Sequence, residues 1–130
     1  MDAASFAQDA DRRVDRTEDA LGALGKLVEA SRRRTGLTAL AVSDSLGLLL
    51  AGAGAHQLCE ELAAWAPLVG RHADNDTVPS CLDAYEGRTS LRRLAIDGFE
   101  VVVSLCGSGA GTSAELDAVS AGCRRILKRI

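Results

Sequence analysis

The sequence predicts an α+β sandwich, an antiparallel sheet with amphipathic helices packed on it. Three observations lead there. Two apolar strand pairs are joined by the turn sequences Asp44-Ser45-Leu46-Gly47 and Asp97-Gly98. Three other segments repeat apolar residues every three or four positions. The order is helix, two strands, helix, two or three strands, helix. Tight turns make neighbouring strands antiparallel. One apolar stripe per helix implies that each helix lays one face on the sheet. The 130 residues suffice for one domain with its core.

In the first helix the stripe is Phe6, Ala10, Val14, Thr17, Leu21, Leu24 and Val28. Arg32, Arg33 and Arg34 stand where the helix dipole favours cations, and Gly36 follows as a stop. The strong portion starts at Thr17, a candidate N-cap. Residues 1–16 are expected as a partly ordered extension, and residues 17–130 as the domain. Residues 37–43 read as a strand, residues 44–47 as a type I turn with Asp first and Gly last, and residues 48–53 as the returning strand.

A second helix is predicted over 56–69, with Leu58, Leu62, Trp65, Ala66 and Val69 in its stripe and Leu68 at the edge. Ala63 and Ala64 beside the stripe would admit another backbone. Pro67 lacks an N–H and should kink this helix or end it early. Residues 70–80 are loop chemistry, and a short strand is expected at 81–86. A hairpin over 88–106 turns at Asp97-Gly98; Phe99, Val101, Val103 and Leu105 share a face, and Leu91, Leu94 and Ile96 suggest a strand with a bulge. Thr112-Ser113-Ala114-Glu115 opens the last helix as a capping box. Its stripe is Leu116, Val119, Cys123, Ile126, Leu127 and Ile130, with Arg124, Arg125, Lys128 and Arg129 near the end.

Composition narrows function. The net charge is −3 and the aromatics are Phe6, Trp65, Tyr85 and Phe99. A nucleic-acid binder usually carries a basic surplus and stacking platforms, so nucleic acid is not expected. The apolar runs fall far short of the roughly 20 residues of a membrane span, and Met1-Asp2-Ala3-Ala4 does not open a signal peptide. A cytoplasmic protein without a membrane contact is expected. Charge is uneven along the chain: residues 37–87 carry seven acids and one base, Arg71, and net −6. Such a segment is a solvated face or a docking face for a basic partner.

Candidate chemistry is sparse. Gly107-Ser108-Gly109-Ala110-Gly111-Thr112-Ser113 stands between a strand and a helix, where backbone N–H groups can hold phosphate. It lacks the Lys of a P-loop, has Thr112 at the third dinucleotide glycine position, and follows a hairpin rather than a parallel crossover. It reads first as a connection ending in an N-cap. His56 and Cys59 lie on adjacent helical turns, and His72 and Cys81 could complete a zinc set only if the fold gathered them. No metal or cofactor is expected. The cysteines, at 59, 81, 106 and 123, contain no Cys-x-x-Cys pair and are expected reduced and mostly buried. Glu60 and Glu61 are helix neighbours that point apart. No catalytic set is assembled, and the chain is not expected to be an enzyme.

The run from Thr35-Gly36-Leu37 through Ala39-Leu40-Ala41-Val42-Ser43-Asp44-Ser45-Leu46-Gly47-Leu48-Leu49-Leu50-Ala51-Gly52-Ala53-Gly54 resembles the Roadblock / dynein light chain family. There, a helix leads to a hairpin with an Asp-x-x-Gly turn, then small residues, then an Ala-rich helix. Asp97-Gly98-Phe99-Glu100-Val101-Val102-Val103 and the closing helix fit the same order, so the resemblance covers about residues 17–130. It implies a Roadblock-like order α-β-β-α-β-β-β-α and a five-stranded antiparallel sheet with one helix on one face and two on the other. It also implies a dimer in which middle helices pair, and a non-catalytic platform for a Ras-like small GTPase, as among the family's bacterial polarity regulators. The Ala-, Gly- and Arg-rich usage resembles that of a GC-rich bacterium.

On this reading Leu62, Ala63, Ala64, Trp65 and Leu68 form the dimer contact, with a second copy or a paralogous subunit. Gln57, Glu60, Glu61 and Ala64 meet the GTPase. Arg71 is not expected to act as an arginine finger. Two other functions compete: a structural dimerisation adaptor without a GTPase, and a small-ligand or nucleotide-binding domain using the Gly107–Ser113 loop.

Overall fold

The computed structural model describes residues 3–69, 89–107 and 112–128. Its elements are α1 (Ala3–Thr35), β1 (Ala39–Asp44), β2 (Leu49–Gly54), α2 (His56–Val69), β3 (Thr89–Ile96), β4 (Phe99–Cys106) and α3 (Thr112–Leu127). The strands form one antiparallel sheet in the order β2-β1-β4-β3. The described sheet thus has four strands. The further strand expected at 81–86 lies outside the described residues.

Strand alternation divides the core in two. Leu40 and Val42 of β1, Val101, Val103 and Leu105 of β4, and Leu94 and Ile96 of β3 meet α1 and α3. Ala39, Ala41 and Cys106 meet α2. β1 lies between β2 and β4 and is buried on both faces. That is why residues 39–42 are continuously apolar rather than alternating.

α1 is longer than the strong stripe suggested. It is helical from Ala3, so Thr17 lies inside it and is not its N-cap. Its 33 residues span roughly 50 Å at the α-helical rise of about 1.5 Å per residue. Among its described side chains the buried ones are Ala20, Leu24, Val28 and Ser31, while Leu21 stays 37% exposed. The inward stripe is therefore offset by one residue from the expected position of Leu21. The helix stops as predicted: Gly36 takes φ 71° and its N–H returns to the Arg32 carbonyl at 2.8 Å.

α1 and α3 cross closely at Gly122, where a Cβ would lie 2.8 Å from both δ-carbons of Leu27. The Glu115 carboxylate, predicted as part of a capping box, is engaged by α1: its Oε1 accepts from Ser31 Oγ and Arg34 Nη2.

Both turns follow their sequences. Asp44 Oδ1 accepts from the N–H groups of Leu46 and Leu48, each at 2.9 Å, and Gly47 N–H donates to the Asp44 carbonyl at 3.2 Å. Asp97 and Gly98 take φ 48° and 89°, the positive values of a type I′ turn. The bulge is displaced from its expected place. β3 and β4 pair without a break from Thr89↔Cys106 to Ile96↔Phe99, and the irregularity falls between Val42 and Ser43 on the β1–β2 ladder. Leu91 needs no bulge, because it serves the α2 face while Leu94 and Ile96 serve the other.

Pro67 does not end α2, which continues to Val69. A proline removes the N–H that would bond the carbonyl one turn back, here that of Ala63. The β1–β2 turn packs over this spot: a Cβ at Gly47 would lie 3.3 Å from the Ala63 oxygen and 3.6 Å from Pro67 Cγ. The helix end is completed by β3, where Arg93 Nη2 donates to the carbonyls of Ala66 at 3.0 Å and Pro67 at 3.3 Å.

Candidate functional site

α2 lies low on the sheet because the residues beneath it are small. Ala39 and Ala41 form the floor, and Leu58, Cys59, Leu62 and Trp65 fill the space above, with Leu49 and Leu91 at the margins. Gly52 sits directly under Cys59: a Cβ there would be 2.9 Å from Cys59 Cβ and 3.0 Å from Sγ. The Cys59 thiol faces the hairpin, 3.3 Å from the Ala53 carbonyl and 3.7 Å from that of Leu40.

This packing sorts the expected site residues. Leu62, Ala63 and Trp65 are buried within the single chain. The sheet thus takes up apolar surface that the sequence reading assigned to a second copy. Ala64 is exposed. The Leu68 side chain lies outside the described residues. Gln57 and Glu60 are exposed and Glu61 is half-buried. At positions 57, 60, 61 and 64 these four form one outward stripe at helical spacing. The structure therefore brings together the four residues expected to meet a partner, and of the described residues expected at a dimer contact it leaves only Ala64 on the surface. Glu60 is tied along the helix, where His56 Nε2 meets its Oε1 at 2.8 Å.

Sequence reasoning missed the neighbours of this stripe. Leu46 is 89% exposed and Leu48 is 64% exposed, both at the tip of the β1–β2 hairpin. Gly47 between them presses on α2; a Cβ there would be 3.4 Å from Ala64 Cα. In sequence the two leucines read only as turn and strand residues. The available signal is leucine at turn positions whose hydrogen bonding is already supplied by Asp44 and Gly47.

Among the described residues the other candidates do not converge. His56 is exposed and paired with Glu60, while Cys59 is buried against the hairpin. His72, Cys81 and Arg71 lie outside the described residues. Among the described residues no three His, Cys, Asp or Glu side chains are grouped to hold a metal ion. Burial pushes the thiols of Cys59 and Cys106 up and that of Cys123 up to about 11, opposite to the shift an activated thiolate needs. Gly107, the first residue of the glycine-rich loop, answers to packing: a Cβ would lie 3.0 Å from Leu37 Cδ2 and 3.1 Å from Thr38 N. Residues 108–111 are outside the described set. No helix among the described residues is long and apolar enough to cross a membrane.

No protein-family model matches the sequence, and no curated protein matches it. Solved structures do. Myxococcus xanthus MglB superposes with a TM-score of 0.55 at 13% identity, over 84% of this chain and 90% of that one. The gliding protein MglB from Thermus thermophilus superposes with a TM-score of 0.57 at 15% identity, over 85% of this chain and 93% of that one. The fold is MglB-like, of the Roadblock type.

Proposed function

We propose that this protein is a non-catalytic, dimeric scaffold that binds and regulates a Ras-like small GTPase. The observation that carries the reading is the MglB-like fold over more than four-fifths of the chain. The sequence resemblance to the Roadblock family implies that fold, and it also implies the GTPase platform. The outward stripe of Gln57, Glu60, Glu61 and Ala64 on α2 is the proposed docking face. Ala64, small and exposed, is where a second copy's helix would come close. One of the matched structures is a gliding protein, and a role in polarity or motility comes with the proposal.

The test is direct. The purified protein is sized by light scattering, then immobilised and exposed to the Ras-like GTPases of its own organism, each loaded with GDP or a non-hydrolysable GTP analogue. A dimer that retains one GTPase in a nucleotide-dependent manner supports the proposal. A dimer that retains none is the adaptor. Nucleotide bound by the protein alone, through the Gly107–Ser113 loop, would replace the scaffold reading with a ligand-binding one.

A further inference from the structure

The two halves of α2 are held in different ways. The first half is pressed on the sheet: Leu58, Cys59 and Leu62 are buried, and Cys59 lies directly over Gly52. In the second half Pro67 offers no N–H to the Ala63 carbonyl. The last carbonyls are held from outside the helix, by Arg93 of β3, which donates to Ala66 at 3.0 Å and to Pro67 at 3.3 Å. That guanidinium has a second partner, Glu100 Oε1 at 2.6 Å. Release of α2 therefore breaks two bonds to neutral acceptors and leaves the charge paired.

The sheet beside this end of α2 is partly polar. The strand registers place Ser43, Val102 and Arg93 in one row across β1, β4 and β3, with Ser104 two residues along β4 on the same face. Ser43 and Ser104 are fully buried, and neither hydroxyl has a hydrogen-bond partner among the described residues. Such hydroxyls oppose a closed state, because water satisfies them in an open one. Burial of Trp65 and Ala66 favours the closed state. We infer that residues 63–69 form a latch, which lifts from the sheet as one unit while the rest of the domain stays folded. Arg93 is its catch, shared with Glu100. Ala64 stands on the latch, and Gln57, Glu60 and Glu61 stand on the seated half. The latch thus sets whether the outward stripe of α2 is continuous. It is a property of the single chain and stands whether or not a GTPase binds.

Amide hydrogen exchange followed by NMR tests it, together with acrylamide quenching of Trp65, the only tryptophan of the chain. In the parent, the amides of Trp65, Ala66, Leu68 and Val69 should exchange through one shared opening, about tenfold faster than those of Cys59 to Leu62. Arg93→Ala should raise these latch rates about fivefold and make Trp65 more accessible to acrylamide. Glu100→Gln should lower them, because a guanidinium freed from its carboxylate gives its donors to the α2 carbonyls. Rates that rise stepwise toward Val69, with Trp65 unquenched, are ordinary fraying of a helix end and overturn the latch. A single rate shared by all of α2 and by β1 overturns it as well. Glu100→Gln that speeds exchange as Arg93→Ala does would make Arg93 a fixed brace positioned by Glu100, and overturns the catch.

Discussion

The guanidinium of Arg93 reaches from β3 to the end of α2 and donates to the Ala66 carbonyl at 3.0 Å. Its other arm holds Glu100 Oε1 at 2.6 Å, across the β3–β4 ladder. A side chain that alternation alone would place on an ordinary strand face thus closes the helix on which the proposed docking stripe stands. Carbonyls at a helix C-terminus lack partners within the helix, and a cation there also complements the dipole.

Removing that brace should be measurable. Arg93→Ala is expected to cost about 1 kcal/mol, since hydrogen bonds from a charged donor contribute roughly 1.5–3 kcal/mol and partial exposure screens this pair. In a domain of this size the melting temperature should fall by about 3–5 °C. Arg93→Lys should recover only part, because an ammonium cannot span two carbonyls and a carboxylate as a planar fork does. An unchanged melting curve for Arg93→Ala would remove the brace from the account of α2.

Glycines at two places should respond with opposite signs. Gly25 lies in α1 with no heavy atom within 4 Å of an added Cβ. Gly25→Ala should therefore stabilise by roughly 0.5–1 kcal/mol through helix propensity. At Gly52 the added methyl meets Cys59 Cβ at 2.9 Å. Gly52→Ala should lift α2 from the sheet and destabilise by about 1–3 kcal/mol, the range of overpacked cores. Urea unfolding of both variants decides the matter; a Gly52→Ala protein as stable as the parent would mean that α2 does not sit as close as described.

The legible parts of this fold are those whose causes are local. Asp44 and Gly47 specify one turn, Asp97 and Gly98 the other, and Gly36 the end of α1. What escaped depends on neighbours distant in sequence. Whether Leu21 or Ala20 points inward depends on how α1 lies on the sheet. Pro67 reads as a terminator because neither Gly47 nor Arg93 is near it in sequence. The α2 stripe shows which residues are apolar, but not that the small floor of Ala39, Ala41 and Gly52 lets one sheet absorb Leu62, Ala63 and Trp65. The outward stripe could be read only as spacing, and the leucine tip beside it only after the hairpin was placed over Ala64.

Alkaline pH should weaken the fold through its thiols. Burial holds Cys123 protonated up to about 11 from an ordinary value near 9, and raises Cys59 and Cys106 as well. A group with a raised folded-state value binds more protons folded than unfolded. Its contribution is present in full below the unfolded value and is lost as pH rises through the folded one. Urea midpoints should therefore decline between about pH 9 and 11, and replacing Cys123 by Ala should flatten the decline while costing some core packing. In the native state at neutral pH, Cys59, Cys106 and Cys123 should react with thiol reagents only as the protein unfolds. Rapid labelling of two of them would show the core to be open where it is described as closed.

Ala64→Glu addresses the proposed dimer. Ala64 is exposed in the single chain, so the substitution should leave the monomer folded. In a paired-helix contact it would bury a charge without a partner, at a cost of several kcal/mol. Light scattering should show the parent as a dimer at micromolar concentration and the variant as a folded monomer. Leu62→Ala serves as contrast: Leu62 is fully buried in its own chain, so its truncation should cost about 2–5 kcal/mol of stability. A parent that is itself monomeric would end the dimer proposal.

Charge on the proposed docking stripe should act on the rate of encounter. Glu60 is exposed and Glu61 half-buried, and surface charges of this kind contribute little to stability. Glu60→Lys with Glu61→Lys should therefore melt within a few degrees of the parent. The pair is expected to slow GTPase association by about tenfold at low salt, with the difference shrinking as the screening length falls below about 10 Å. Dissociation should change less, because the charges act on the approach of the partner. The same GTPase should hydrolyse GTP almost normally with Arg71→Ala, because a scaffold contributes no finger. An arginine finger supplied in trans accelerates hydrolysis by roughly 10³-fold or more, so a hundredfold loss at unchanged binding would make the protein a catalytic participant. Reversed charges that leave association untouched at every salt concentration would instead move the docking face off α2.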